Sequence, residues 1–158
     1  MVLIVAALLT VVIATLAIVR LFPASAPNSF PASFSRTVSF PLFSPEWLPT
    51  GLSIDRQSFD ATAEVLTFTI SDNKGKRLVF TEQPKPPQAN LDTFYQQQLS
   101  GSTSFDTTAG KVTIGQFEGS TLAGIATDQT WILMRAVASI NQSEFEHIVR
   151  SMSRAPFK

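Results

Sequence analysis

Hydrophobic and polar positions divide the chain into three stretches of different texture. Val2 to Val19 reads VLIVAALLTVVIATLAIV: eighteen residues, none charged, twelve of them Val, Leu or Ile. No face is polar, so the pattern predicts a membrane-spanning helix over residues 1–20. As a helix the run covers roughly 27 Å, against a hydrocarbon core of about 30 Å. Leu21 and Phe22 extend the fit while Arg20 reaches for the headgroups. Twelve such side chains favour insertion by roughly −4 to −7 kcal/mol. Many are β-branched, so the helix follows from lipid forcing the backbone to bond to itself.

Leu21 to Ser33 is a different material. Pro23, Pro27 and Pro31 recur every four residues among Ser, Ala and Asn, the composition of an extended, semi-rigid linker over residues 21–33. Its thirteen residues reach at most about 45 Å. Phe22 and Phe30 dip into the interface, pack on the domain, or stand as scattered exposed aromatics.

From Phe34 to Lys158 the periodicity is that of a folded domain. Phe34, Val38 and Phe40 alternate with Ser and Thr, predicting a first strand or strand-like arm; Pro41, Pro45 and Pro49 then forbid a helix. Leu52 and Ile54 open a second strand. Leu66, Phe68 and Ile70 against Thr67 and Thr69, then Asp72-Asn73-Lys74-Gly75, then Leu78 and Phe80, make an antiparallel hairpin. After Pro84, Pro86 and Pro87, a helix starts with Asn90 as cap. Leu91, Phe94, Tyr95 and Leu99 form its stripe, and Gly101 is placed to end it. Strands over roughly 103–107, 111–117 and 121–127 follow. Trp131 to Ala138, apolar on both faces, reads as a central strand covered on both sides. A last helix is capped by Asn141 or Ser143. Phe145, Ile148, Val149 and Met152 form its buried stripe, with Arg150, Arg154 and Lys158 at its C-terminal end. The expected fold is α+β: an antiparallel sheet of about six or seven strands with two packed helices, behind one N-terminal transmembrane helix.

Composition narrows the function classes. Lys and Arg total 12 and Asp and Glu total 12, with a pI near 6.6. This balance excludes a general nucleic-acid binder or a polybasic headgroup reader. The chain has no cysteine, which removes disulfides, thiol catalysis and thiolate metal sites. One histidine, His147, is too few for the usual zinc patterns, and it reads as a solvated helix residue. No GxSxG, SxxK, HExxH or phosphate loop occurs, so no catalytic, cofactor or metal residue is assigned. Ser100 to Ser104 reads as a helix exit, and Asn141-Gln142-Ser143 as a cap within a sequon. Lys74, Lys76 and Arg77 form the one basic cluster, at a hairpin tip; with Trp47 they are the candidate interaction surface.

The apolar run has a rival reading as a cleaved signal, with Ala24-Ser25-Ala26 as a candidate site; Pro27 and the length of the run weigh against it. Arg20 and Arg36 follow the run, and a strict positive-inside count puts the domain in the cytoplasm. The Ser/Pro linker and the domain's overall resemblance to an exported one favour export. The domain is expected on the extracytoplasmic side, tethered by Val2 to Val19.

Phe40-Pro41-Leu42-Phe43 and Pro45-Glu46-Trp47-Leu48-Pro49-Thr50-Gly51 resemble the "LPxG" opening of the family known as domain of unknown function 4367. The resemblance continues through Thr130-Trp131-Ile132 and the closing helix Phe145 to Met152, covering about residues 38 to 153. It implies a bacterial extracytoplasmic domain behind one helix and carries no catalytic residue with it. The element order is also similar to the PsbP and Mog-one-like fold, which implies an adaptor rather than an enzyme. The leading expectation is a non-enzymatic binding module of the cell envelope, its partner an envelope protein or polymer. One alternative is an envelope hydrolase using Asp106, Asp128 or Glu118. Another is a carrier of a small apolar ligand, which needs a pocket between sheet and helix.

Overall fold

A computed structural model describes residues 30–87, 90–138 and 140–155. The apolar run Val2 to Val19, the linker before Phe30 and Lys158 lie outside the described residues. Among those described, no helix is long and apolar enough to cross a membrane.

The centre is a seven-stranded, wholly antiparallel sheet. Its strands are β2 (Ser53–Ala61), β3 (Leu66–Ser71), β4 (Arg77–Pro84), β5 (Ser100–Asp106), β6 (Lys111–Phe117), β7 (Ser120–Ala126) and β8 (Thr130–Ala138), in the order β2-β3-β4-β8-β7-β6-β5. Two meanders, β2–β4 and β5–β8, are joined where β8 returns beside β4. The helix α2 (Leu91–Gln98), between β4 and β5, lies on one face; α3 (Gln142–Arg150), after β8, lies on the other. The architecture is α+β, as expected.

Local chemistry places the turns and caps. Asp72 Oδ1 accepts the Lys74 and Lys76 amides, each at 2.8 Å, and Gly75 takes φ 90°. Glu118 and Gly119 both have positive φ and close the two-residue turn between Phe117 and Ser120, as a tight hairpin requires. Asn90 caps α2 by accepting the Thr93 amide, and Asn141 caps α3 by accepting the Glu144 amide at 2.7 Å. Asn141→Ala should cost about 1 kcal/mol, read as a lowered midpoint in urea with an unchanged slope.

The core face carries Leu66, Phe68, Ile70, Leu78, Phe80, Val112, Ile114, Ala123, Ile125, Ile132 and Met134 under Phe145, Ile148 and Val149 of α3. Arg150 lies 3.8 Å over the Phe105 ring and closes α3 against β5.

Four expectations are corrected. The stretch from Phe34 is not a strand but a one-turn helix, α1 (Phe34–Thr37). Phe30, Phe34 and Val38 share helical i, i+4 spacing as well as alternation. The turn puts Phe34 on Phe59, with centroids 5.1 Å apart, while Phe30, 1% exposed, packs on Phe68. Gly101 does not end α2. That helix stops at Gln98 with Leu99 already extended, and Gly101 sits inside β5 at φ 60°, where the register with β6 shifts. Third, α3 ends at Arg150. Met152 and Arg154 belong to β9 (Met152–Arg154), which pairs antiparallel with β1 (Phe43–Pro45) as a separate two-stranded sheet. Finally, β8 is central but unevenly covered. Ile132 and Met134 are buried, whereas Trp131 and Leu133 are only partly so and Val137 is 49% exposed, because α2 has just eight residues.

Candidate functional site: an apolar cleft beside the short helix

On the α2 face, two glycines let the helix approach the sheet closely. A β-carbon at Gly124 of β7 would run into the Tyr95 ring, and one at Gly115 of β6 would lie 2.7 Å from Leu99 Cβ. Glycine inside a strand marks such an approach. The Tyr95 ring therefore packs directly on the bare backbone of Gly124, and the Trp131 indole N–H of β8 donates to its hydroxyl. Burial pushes the Tyr95 phenol far above its ordinary pKa, only partly opposed by that hydrogen bond, so the hydroxyl stays protonated.

Beside this seat the helix leaves a gap. Phe94, Tyr95, Gln98, Leu99, Phe117, Leu122, Trp131 and Leu133 line a half-open cleft of about 180 Å³. Phe94, 45% exposed, stands at its rim, edge-on to Trp131 with centroids 5.9 Å apart. The Trp131 indole N–H is spent on the Tyr95 hydroxyl oxygen, and the surface left open in the cleft is hydrocarbon and aromatic. A cavity of about 150 Å³ lined in this way takes benzene. The chemistry available here is apolar binding. No lining residue titrates near neutral pH.

Two of the four candidate interaction residues, Trp47 and Lys76, lie on the opposite face, along α3. Trp47, 37% exposed, stacks on His147 at 3.9 Å and 12°. Its backbone is held by Ser151, whose Oγ accepts the Trp47 amide and donates to the Trp47 carbonyl. Lys76 pairs with Glu144 at 2.9 Å. Glu144 and His147 are i, i+3 on α3, so Trp47 and Lys76 arrive beside one helix from distant parts of the chain. Lys74 and Arg77 are exposed at the neighbouring hairpin. Trp47→Leu should cost about 0.5–1.5 kcal/mol, and a double-mutant cycle with His147→Ala should recover most of it as coupling.

The carboxylates of the hydrolase alternative are exposed in three separate turns. Asp106 ends β5, Asp128 lies between β7 and β8, and Glu118 lies at the opposite end of the sheet. Among the described residues no three His, Cys, Asp or Glu cluster as metal ligands would.

Sequence reasoning passed over one acidic residue, Glu82. It is wholly buried in β4, between Leu66 and Ile132 on the flanking strands. Its Oε2 accepts the Phe43 amide at 2.9 Å, while Oε1 has no partner. Burial raises its pKa well above the usual carboxylate range, against a smaller lowering from the Phe43 amide. Beside it Thr130 Oγ1 donates to the Pro41 carbonyl at 2.6 Å. The two contacts fasten Pro41 to Phe43, and with them β1, over the sheet. The alternation Leu78, Phe80, Glu82 was the available signal, because it puts a carboxylate on the buried parity of the strand.

No curated protein and no solved structure gives a significant match to the chain. A family model does match, over residues 42–152, from the clipped opening segment through α3 to the first residue of β9. The chain belongs to the family described as Domain of unknown function (DUF4367).

Proposed function

We propose that the domain is a non-enzymatic binding module of a cell envelope, held at the extracytoplasmic face of a membrane by residues 2–19, with the cleft beside α2 as its recognition site. The observation that carries this reading is the chemistry of the cleft. The surface it exposes is apolar: the Trp131 indole N–H is spent on the Tyr95 hydroxyl oxygen, and Gln98 is the other polar side chain along its wall. Such a surface gains affinity by shedding water and offers no base, nucleophile or ligand set to a reaction. This is the pocket between sheet and helix that an apolar-ligand carrier requires.

The apolar run supports the tether. Ten residues separate Val19 from the buried Phe30; fully extended they reach roughly 35 Å, which keeps the domain near the bilayer. The Trp47 and Lys76 side of α3 is then available to an envelope protein or polymer without covering the cleft.

Two measurements test the reading together. Alkaline carbonate should leave the full-length chain in the membrane pellet, and protease added to intact cells should degrade the domain. A chain released by carbonate, or a domain protected until the cells are opened, overturns the placement.

A further inference from the structure

The sheet continues past the cleft, and the next residue on that face is charged. Trp131, Leu133 and Arg135 alternate along β8 on one side, and Arg135 is the direct cross-strand partner of Leu122, which lines the cleft. Arg135 is exposed, and one guanidinium nitrogen donates to Ser120 Oγ at 3.2 Å, which holds the group over β7. Among the described residues its guanidinium has that one hydrogen bond, which leaves most of its N–H donors to bind an anion. A hydrocarbon slot flanked by one fixed cation is complementary to an acid carrying one chain.

We propose that the cleft binds a single-chain carboxylic acid, with its hydrocarbon chain among Leu122, Trp131 and Leu133 and its carboxylate on Arg135. The volume limits the chain. About 180 Å³ slightly exceeds a cavity that holds benzene, so roughly six carbons fill it and longer chains protrude past Phe94. One guanidinium matches one carboxylate charge and can meet it with two parallel hydrogen bonds. A two-chain lipid would leave its second chain in water. The inference takes from the proposed function only that the cleft is the recognition site; it does not depend on which side of the membrane the domain lies.

The test uses the full-length chain in phosphatidylcholine nanodiscs. Trp47→Phe makes Trp131 the sole tryptophan of a chain that has two, so indole fluorescence reports on the cleft. Hexanoate should shift Trp131 emission saturably with Kd on the order of 1 mM, and affinity should rise about fourfold per methylene from butanoate to hexanoate. The rise should then flatten. Arg135→Gln should weaken hexanoate roughly two- to fivefold and leave hexanol unchanged. This surface variant keeps the test decisive even if a core variant folds poorly. Leu122→Phe should weaken both ligands. Equal loss of acid and alcohol in Arg135→Gln, a flat chain-length series, or unchanged binding in a folded Leu122→Phe each overturns the proposal. So does loss of hexanoate binding when anionic phospholipid is added to the nanodiscs, which would give the slot to the bilayer's own lipid. Carbonate extraction and protease shaving are read separately, so failure of the tether and failure of the ligand are distinguishable.

Discussion

Glu82→Gln should raise stability at neutral and alkaline pH and leave it almost unchanged in acid. The carboxyl is wholly buried with one oxygen unpartnered, and burial holds its pKa well above the ordinary glutamate value. In the unfolded chain it titrates as an ordinary glutamate. Between the ordinary and the raised value the folded state holds a proton that the unfolded state has lost, so stability falls as pH rises through that window. The contribution is whole below the unfolded pKa and gone above the folded one. The slope within the window approaches about 1.4 kcal/mol per pH unit. Gln keeps an acceptor for the Phe43 amide and cannot ionise, so its curve should lack the slope. Urea denaturation at successive pH values upward from the ordinary glutamate range should show the two proteins converging in acid and diverging upward. Glu82→Leu separates the two causes: it also removes the slope, but it strands the Phe43 amide and should cost about 1–3 kcal/mol at acid pH. A wild-type stability that rises with pH over this range would sink the account. Tyr95, the other strongly shifted group, titrates far too high to contribute.

The segment fastened by Glu82 also shows what was legible in the sequence. The hairpin β3–β4, the Asn90 and Asn141 caps and the stripes of α2 and α3 rest on neighbours within a few residues, and periodicity reports them directly. The pairing of Phe43 with Arg154 joins residues more than a hundred positions apart across a proline-rich segment, and no local pattern announces it. The one-turn helix at Phe34 was hidden because its apolar spacing satisfies both periods. Trp47 and Lys76 could be singled out as an exposed aromatic and a basic tip. Their common neighbour α3 could not, because the Glu144 and His147 contacts arise only when the last helix folds back. The cleft is a product of what is missing. An eight-residue helix is too short to cover β8, and its shortness follows from Leu99 leaving the helix for β5. Gly115 and Gly124 were its sequence trace, two strand-interior glycines on neighbouring strands that invite something large to approach.

Gly124→Ala should therefore dislodge α2 without dissolving the sheet. The added methyl would occupy space filled by the Tyr95 ring, which is 1% exposed and is held in place by the Trp131 indole on its hydroxyl. Overpacking of this kind costs about 1–3 kcal/mol, more where the neighbour cannot move. Backbone strain is not the cause, since Gly124 has no positive φ, unlike Gly51, Gly75 and Gly119, where a β-carbon would meet open space. The loss should be local, because Tyr95, Leu91 and Leu99 form a cluster separate from the core under α3. Amides of α2 should exchange much faster with solvent while those of β3, β4 and α3 keep their protection, and Trp131 emission should shift to the red as water enters. Tyr95→Leu in the same chain should rescue part of the damage. Alone it forfeits the Trp131 hydrogen bond, but combined with Gly124→Ala it makes room for the methyl, so the pair should be coupled by about 0.5–3 kcal/mol. Strictly additive costs, or protection lost evenly from both faces of the sheet, would mean that Tyr95 does not seat the helix on Gly124. The cleft would then have to be explained by something other than the short helix held at that point.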